Sequence, residues 1–236
     1  KQRPAACVCV FGRFPGNSRS HSSETQQAPL INFSRFFHRV DQTLLHHSPS
    51  NCFGDDFGVV RLLLPGWEGN ISIKWLSRLK VTDAPSYTRE ETSKYTDPLP
   101  DGKAREFTFD MDAKSLITAP SAGHRLTGAG VYQISGLAWS GRGAIRQVEV
   151  STDGGRTWHT AALESPVLPK AFTRFTLEWR WDGGETVLQS RATDETGYVQ
   201  PKRDVLVSVR GLNSNYHNNA IQAWRVAMDG TVRNAV

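Results

Sequence analysis

Cysteine is scarce: three in 236 residues, at Cys7, Cys9 and Cys52, all inside the first 58 positions. The rest of the chain is thiol-free, which excludes a disulfide framework there and is compatible with either redox compartment. No apolar run approaches the roughly 20 residues that a membrane-crossing helix requires. Basic residues outnumber acidic ones, 28 to 23, for a net charge of +5. Yet no lysine-arginine run with interleaved aromatics occurs, which argues against a nucleic-acid groove. The scattered positive charge suits an anionic substrate or cofactor equally well. The opening KQRPAACVCVFG has a basic edge and a short apolar stretch but no convincing cleavage site, so it is not read as a signal peptide.

Aromatic residues divide the chain. All seven Trp and all five Tyr lie beyond residue 58, whereas four of the seven His lie before it. Residues 1–58 are rich in Ser, Gln, His and Pro and hold one amphipathic stretch, Ile31 to Leu45. They read as a mostly unstructured, unmatched leader. Cys7, Cys9, His46, His47 and Cys52 invite a zinc reading, but their spacing fits no C-x-x-C…H-x-x-x-H pattern. Incidental thiols and imidazoles are the plainer reading.

From Arg105 onward the pattern has a period of two, broken by Gly and Pro. In Thr173–Trp181, Phe175, Leu177, Trp179 and Trp181 face one way and Arg174, Thr176, Glu178 and Arg180 the other, as a half-buried antiparallel strand requires. Val205, Val207 and Val209 repeat the alternation and are expected to form a strand. Further strands are expected at Glu106–Asp110, Lys114–Thr118, Val131–Trp139, Ile145–Ser151, Trp158–Leu163 and Val187–Thr193. About eight short strands with turn signals between them predict an immunoglobulin-like antiparallel β-sandwich. Ser151-x-Asp153-x-Gly155-x-Thr157-Trp158 fits the aspartate box of sialidase-like propellers. A propeller repeats that box once per blade, and the chain has one copy, so it reads as a hairpin brace. Asp153 is expected to accept backbone amides, with Gly154 and Gly155 at positive φ and Trp158 packed beneath.

Two longer stretches carry a resemblance. Residues 59–97 run from Arg61 through Leu62, Leu63 and Leu64, expected as a buried strand, into a Pro65-Gly66 corner and then Ile71-Ser72-Ile73-Lys74-Trp75. Residues 192–224 combine ATDETGYVQP with Arg210-Gly211-Leu-Asn213-Ser-Asn215-Tyr-His217-Asn218-Asn219 and a closing Trp224. Together they resemble the sulfite oxidase family of molybdopterin oxidoreductases, and within it the bacterial sulfane dehydrogenases, over residues 59–228. The resemblance implies three parts: the leader at 1–58, the end of a molybdopterin-binding α+β domain at 59–104, and an immunoglobulin-like (E-set) dimerisation domain at 105–236.

It also implies chemistry. Arg61, Ser72, Ile73 and Lys74 match positions that hold the pterin and its phosphate, where a planar guanidinium bridges two oxygens and lysine adds a compact charge. The bland alternative is an exposed arginine and a lysine lying over Trp75. Arg210 matches an arginine directed at the substrate oxyanion; its alternative is an exposed strand position. His217, Asn218 and Asn219 read as loop caps, and Trp139, Trp179, Trp181 and Trp224 as core or interface aromatics. The implied enzyme oxidises sulfite-like or protein-bound sulfane sulfur at molybdenum, passes electrons to a c-type cytochrome, works in the periplasm, and assembles as a homodimer or hetero-oligomer. None of the three cysteines lies in the Cys-x-Gly-Asn context that ligates the metal, so this chain alone is expected to be inactive. The alternatives are a non-catalytic β-sandwich interaction module and a glycan-directed fragment.

Overall fold

The structure, a computed structural model, describes residues 7–12, 26–28, 45–48, 59–72, 76–82, 96–99, 101–105, 110–212 and 217–235. For 7–12, 26–28, 45–48, 59–61, 70 and 76–82 the description is of the backbone. The chain divides into two compact units, 1–109 and 110–236.

In the first unit, β1 (Cys7–Gly12) pairs antiparallel with both β2 (Gln26–Ala28) and β5 (Leu76–Thr82). Three pieces of the stretch expected to lack structure are therefore strands, the third being β3 (Leu45–Ser48). The amphipathic stretch 31–44 lies outside the described residues. β3 pairs with β4 (Val59–Leu62), setting Leu45 opposite Leu62 and His46 opposite Arg61. The expected buried run of three leucines is shorter than predicted. The strand ends at the buried Leu62, and Leu63 is 37% exposed. The chain turns immediately afterwards: Trp67 N–H donates to Leu64 O at 3.1 Å, and Gly66 takes φ 84°. Proline at the second position and a positive-φ glycine at the third are what a type II turn demands. A single 3-10 turn, Gly69–Ile71, follows, and Ile71 is buried. A small pair, β6 (Asp97–Pro98) with β7 (Ala104–Arg105), ends the described part of this unit.

The second unit is the predicted antiparallel sandwich. Its strands are β8 (Lys114–Ala119), β9 (Gly130–Trp139), β10 (Ile145–Ser151), β11 (His159–Thr160), β12 (Ala162–Leu163), β13 (Thr173–Trp181), β14 (Thr186–Asp194), β15 (Ala223–Val226) and β16 (Val232–Ala235). One sheet has the order β12-β13-β9-β8 and the other β11-β10-β14-β15-β16. The expected strand Trp158–Leu163 is split at buried Ala161: β11 pairs with β10 in one sheet and β12 with β13 in the other. Residues 106–109 of another expected strand lie outside the described residues. Inward side chains of both sheets, including Ile117, Ile134, Val148, Val150, Phe175 and Leu188, make one closed core. Phe175 needs the glycine opposite it, because a Cβ on Gly136 would collide with the Phe175 ring and with the Leu116 carbonyl.

The strand expected at Val205–Val209 is a helix, α1 (Arg203–Arg210). The valine alternation coincides with a helical pair, since Leu206 and Arg210 lie four residues apart and are buried together. Val205 and Val209 are more than half exposed. Pro201 precedes the first turn, and Gly211, at φ 81°, ends the helix by donating its N–H to Val207 O at 2.8 Å.

The two sheets are joined by a polar side chain. Gln200 is almost wholly buried, and its Oε1 accepts from Ser115 N at 2.8 Å, Ser115 Oγ at 2.8 Å and Ala192 N at 3.1 Å. Its Nε2 donates to the Ser115 and Ala220 carbonyls at 3.3 and 3.2 Å. β8 is the outer strand of its sheet, so these bonds, with Trp224 Nε1 donating to Ile117 O at 3.0 Å, terminate an open edge.

The aspartate box is formed as expected. Asp153 Oδ1 accepts from Arg156 N at 3.0 Å and Thr157 N at 2.9 Å, while Thr157 Oγ1 donates to Oδ2 at 2.6 Å. Gly154 and Gly155 have φ of 75° and 89°, and Trp158 lies under the Arg191 guanidinium, 4.3 Å from the ring centroid.

Two outcomes follow for stability. Gln200→Leu strands buried amide and carbonyl groups on both sheets, at about 1–3 kcal/mol per group. Denaturant unfolding should therefore lose about 3 kcal/mol, and a midpoint equal to the wild type would refute the bridging role. The Thr157 hydroxyl and amide, with the Ser151 hydroxyl, hold the Asp153 carboxyl well below its ordinary range. Its contribution is complete above the unfolded value of about 3.9 and disappears as pH falls from there toward the folded value. Asp153→Asn should flatten the acid limb of a Tm-against-pH curve, and leave the profile unchanged between neutral pH and about pH 5 apart from a constant offset.

Candidate functional site

Three basic side chains of the second unit converge on Asp112, just before β8. The main chain there is pinned by Gly141 N–H donating to Met111 O at 2.7 Å, which brings the loop after β9 alongside. Arg142 on that loop reaches Asp112 Oδ1 at 2.5 Å. From the last turn of α1, Arg210 donates through Nη2 to Asp112 Oδ2 at 2.7 Å. His217 Nε2 meets the same oxygen at 3.0 Å. The side chains of Asp112, Arg210 and His217 are each 5% exposed or less, whereas Arg142 is 40% exposed. Burial alone would raise the Asp112 pKa; the His217 hydrogen bond and charge, then Arg142 and Arg210, outweigh it and hold the carboxyl below its ordinary range.

A second layer fixes the surroundings. Asp194, fully buried at the end of β14, accepts from Ser140 Oγ at 2.7 Å and from Thr196 and Tyr198 amides, tying the β9 loop to the turn after β14. Arg142 then lies over the Tyr198 ring, 5.2 Å from its centroid. Asn219 Nδ2 donates to Tyr198 OH and to Ala113 O, both at 3.1 Å. Three segments thus meet the Asp112 carboxylate, and the turn at Asp194–Tyr198 braces two of them.

The residues singled out in the sequence fall in both units. Arg61 is in β4, opposite His46, and its side chain lies outside the described residues. Ser72 caps the 3-10 turn: its N–H donates to Gly69 O at 3.2 Å, and its hydroxyl accepts from Leu64 N at 3.5 Å, across the Pro65-Gly66 corner. Ile73 and Lys74 lie outside the described residues. Arg210 is not the exposed strand residue of the bland reading; it is a buried helix-terminal residue held by Asp112. His217 belongs to the same cluster rather than acting as a simple loop cap. Asp112, Arg142 and Tyr198 were not anticipated. A lone acidic residue at the mouth of a strand carries no sequence signal, but a buried arginine implies a carboxylate somewhere. Among the described residues no group of three or more His, Cys, Asp or Glu is arranged to hold a metal ion, and no helix is long and apolar enough to cross a membrane.

Comparison with known proteins bears on this geometry. Residues 105–224 match the family model of the Mo-co oxidoreductase dimerisation domain. Mitochondrial sulfite oxidase of Mus musculus is 31% identical over 182 residues, covering 69% of this chain and 33% of the relative. NADH nitrate reductase of Solanum lycopersicum is 29% identical over 182 residues, covering 66% and 20%. Among solved structures, the sulfane dehydrogenase SoxCD of Paracoccus pantotrophus superposes with a TM-score of 0.83 at 44% identity, covering 99% of this chain and 58% of that one. The chain therefore spans a fifth to a third of these curated relatives.

Removing the shared carboxylate tests the cluster. Asp112→Asn leaves a buried guanidinium without its counter-charge, which costs about 3–5 kcal/mol of unfolding free energy. Arg142→Ala removes the one partly solvated partner, 40% exposed, and leaves Asp112 its contacts with Arg210 and His217, so it should cost clearly less. Equal losses in urea unfolding of the two variants would contradict this account.

Proposed function

The chain belongs to the Mo-co oxidoreductase dimerisation-domain family, and from that premise we propose that it is the C-terminal part of a molybdenum enzyme of the sulfane dehydrogenase and sulfite oxidase type. The observation that carries this reading is the 44% identity to the Paracoccus sulfane dehydrogenase, sustained across 99% of the chain. The substrate class is sulfite-like or protein-bound sulfane sulfur, the electron acceptor is a c-type cytochrome, and the compartment is the periplasm.

The donor types at Arg61, Ser72 and Lys74 fit a phosphorylated pterin: a guanidinium, a hydroxyl and an ammonium are the groups by which proteins bind phosphate. The Ser72 hydroxyl accepts the Leu64 amide and so keeps its own proton available to an anion. These residues, with the Ile73 backbone, would hold the cofactor's pterin end. When bound, the cofactor supplies oxygen-atom transfer to sulfur and takes up the electrons released. The chain's own share is electrostatic. Asp112 and His217 fix the position of the Arg210 guanidinium within the second unit, and a guanidinium held in place in advance costs little reorganisation when it meets a sulfur oxyanion. No cysteine here has a metal-ligating Cys-x-Gly-Asn context, so the chain alone serves assembly rather than turnover.

A second reading is a non-catalytic interaction module. It is supported by the sandwich core, which closes entirely within residues 113–232. Metal analysis, sulfite-driven cytochrome c reduction and sedimentation of the purified chain separate the cases. The expected result is a dimer, molybdenum well below one per chain, and no cytochrome reduction. Stoichiometric molybdenum with turnover would overturn the assembly-only role, and a monomer would remove the dimerising one.

A further inference from the structure

A groove of about 900 Å³ opens on the second unit, lined by residues of β8, β14, β15 and β16 and of the start of α1. That volume is within the range of about 300–1,000 Å³ found for ligand pockets. Leu116, Trp139, Ile221 and Trp224 supply apolar surface within it. Lys114, Lys202 and Arg203 supply positive charge, and no Asp or Glu is among the described lining residues.

Elsewhere on this unit the arginines near carboxylates are paired: Arg142 with Asp112, Arg191 with Glu149, Arg225 with Glu185. Among the described residues neither Lys114, Lys202 nor Arg203 forms an ion pair. Lys114 is the most telling of the three. Its ammonium donates to the Asn218 main-chain carbonyl at 2.6 Å, a neutral acceptor, and burial pushes its pKa down from the ordinary lysine value. A half-buried cation without a counter-charge is costly, and a carboxylate seated beside it relieves that cost. Asp204, next along α1, is exposed and is not part of the lining. Gln189, Gln222 and Asn234 line the same groove; Gln222 Nε2 already donates to Ala223 O and to Asn234 Oδ1, which leaves the Gln222 oxygen and the Asn234 nitrogen for a main chain laid between them.

We propose that this groove binds an extended acidic peptide segment of a partner protein, with its carboxylates taken by Lys114, Lys202 and Arg203 and its apolar side chains resting on Trp139 and Trp224. An inorganic anion would use the cations and leave the apolar wall unused; a neutral apolar segment would leave three cations unneutralised. A segment that alternates acidic and apolar residues uses both.

The test uses the full chain and a labelled peptide of alternating Glu and Leu, followed by fluorescence anisotropy, with a Gln-for-Glu peptide as the neutral control. The Glu peptide should bind at least about tenfold more tightly than the Gln peptide, a difference that shrinks with added salt. The double variant Lys202→Glu/Arg203→Glu, at two exposed positions, should weaken the Glu peptide by about tenfold or more while its thermal melt stays unchanged. Lys114→Gln is the second, independent variant and should weaken binding in the same direction. Equal affinity for the two peptides, no binding of either, or indifference to the charge reversal overturns the proposal. So does displacement of the peptide by equimolar inorganic phosphate, which would make the groove a simple anion site. A shift from dimer to monomer in the charge-reversed variant, seen by sedimentation, would overturn it too, by assigning the groove to a second copy of this chain.

Discussion

Gln200 is the constraint on which the second unit depends. A buried carboxamide is expensive unless both its ends are satisfied, and here the oxygen accepts three hydrogen bonds while the nitrogen donates two. The partners come from β8, from β14 and from the segment leading into β15, so a single side chain spans both sheets and a connecting loop. Apolar packing between sheets is tolerant of sliding, because one aliphatic contact substitutes for another. A five-bond carboxamide is not tolerant. It fixes the register of β8 against β14 and the position of residues 217–220 relative to both.

The charged cluster inherits that rigidity. Asp112 lies three residues before Ser115, which Gln200 holds, and His217 and Asn219 lie on the segment whose Ala220 carbonyl Gln200 also holds. Arg210 arrives from α1, which begins three residues after Gln200. A buried guanidinium and carboxylate gain little over a hydrophobic replacement, but they are unforgiving of misplacement. That makes the cluster a poor source of stability and a good device for holding a guanidinium at one position.

How much of this was visible in the sequence depends on the range of the signal. The alternation in Thr173–Trp181 specified β13 to the residue, because each inward apolar position is two from the next and burial follows the pleat. The Pro65-Gly66 corner and the aspartate box were readable for the same reason, their bonds closing within a few positions. The same period-two rule failed at Val205–Val209, where Leu206 and Arg210 are the buried residues and valines are left in solvent; an arginine was not counted as an inward residue, so the helical spacing went unseen. β15 and β16 were missed because AWRV and VRNA are short and low in contrast. The bond from Gln200 to Ser115 and the partnership of Asp112 with Arg210 and His217 were illegible, since these partners stand 85, 98 and 105 positions apart in the chain. Residue types declare such networks only when coordinates bring them together.

The way β8 is finished also limits how anything can bind beside it. An outer strand normally offers free amides and carbonyls to a further strand. Here the Ser115 amide is taken by Gln200, from the segment between β14 and α1, and the Ile117 carbonyl by Trp224 of β15, so side chains have closed these two points of the edge. A visitor to the neighbouring groove finds these two groups of the β8 ladder already taken and meets β8 through side chains. Along β8, recognition rests on charge and on aromatic surface and not on strand addition. The bonds that keep the two sheets in register therefore also decide the chemistry available at their open side.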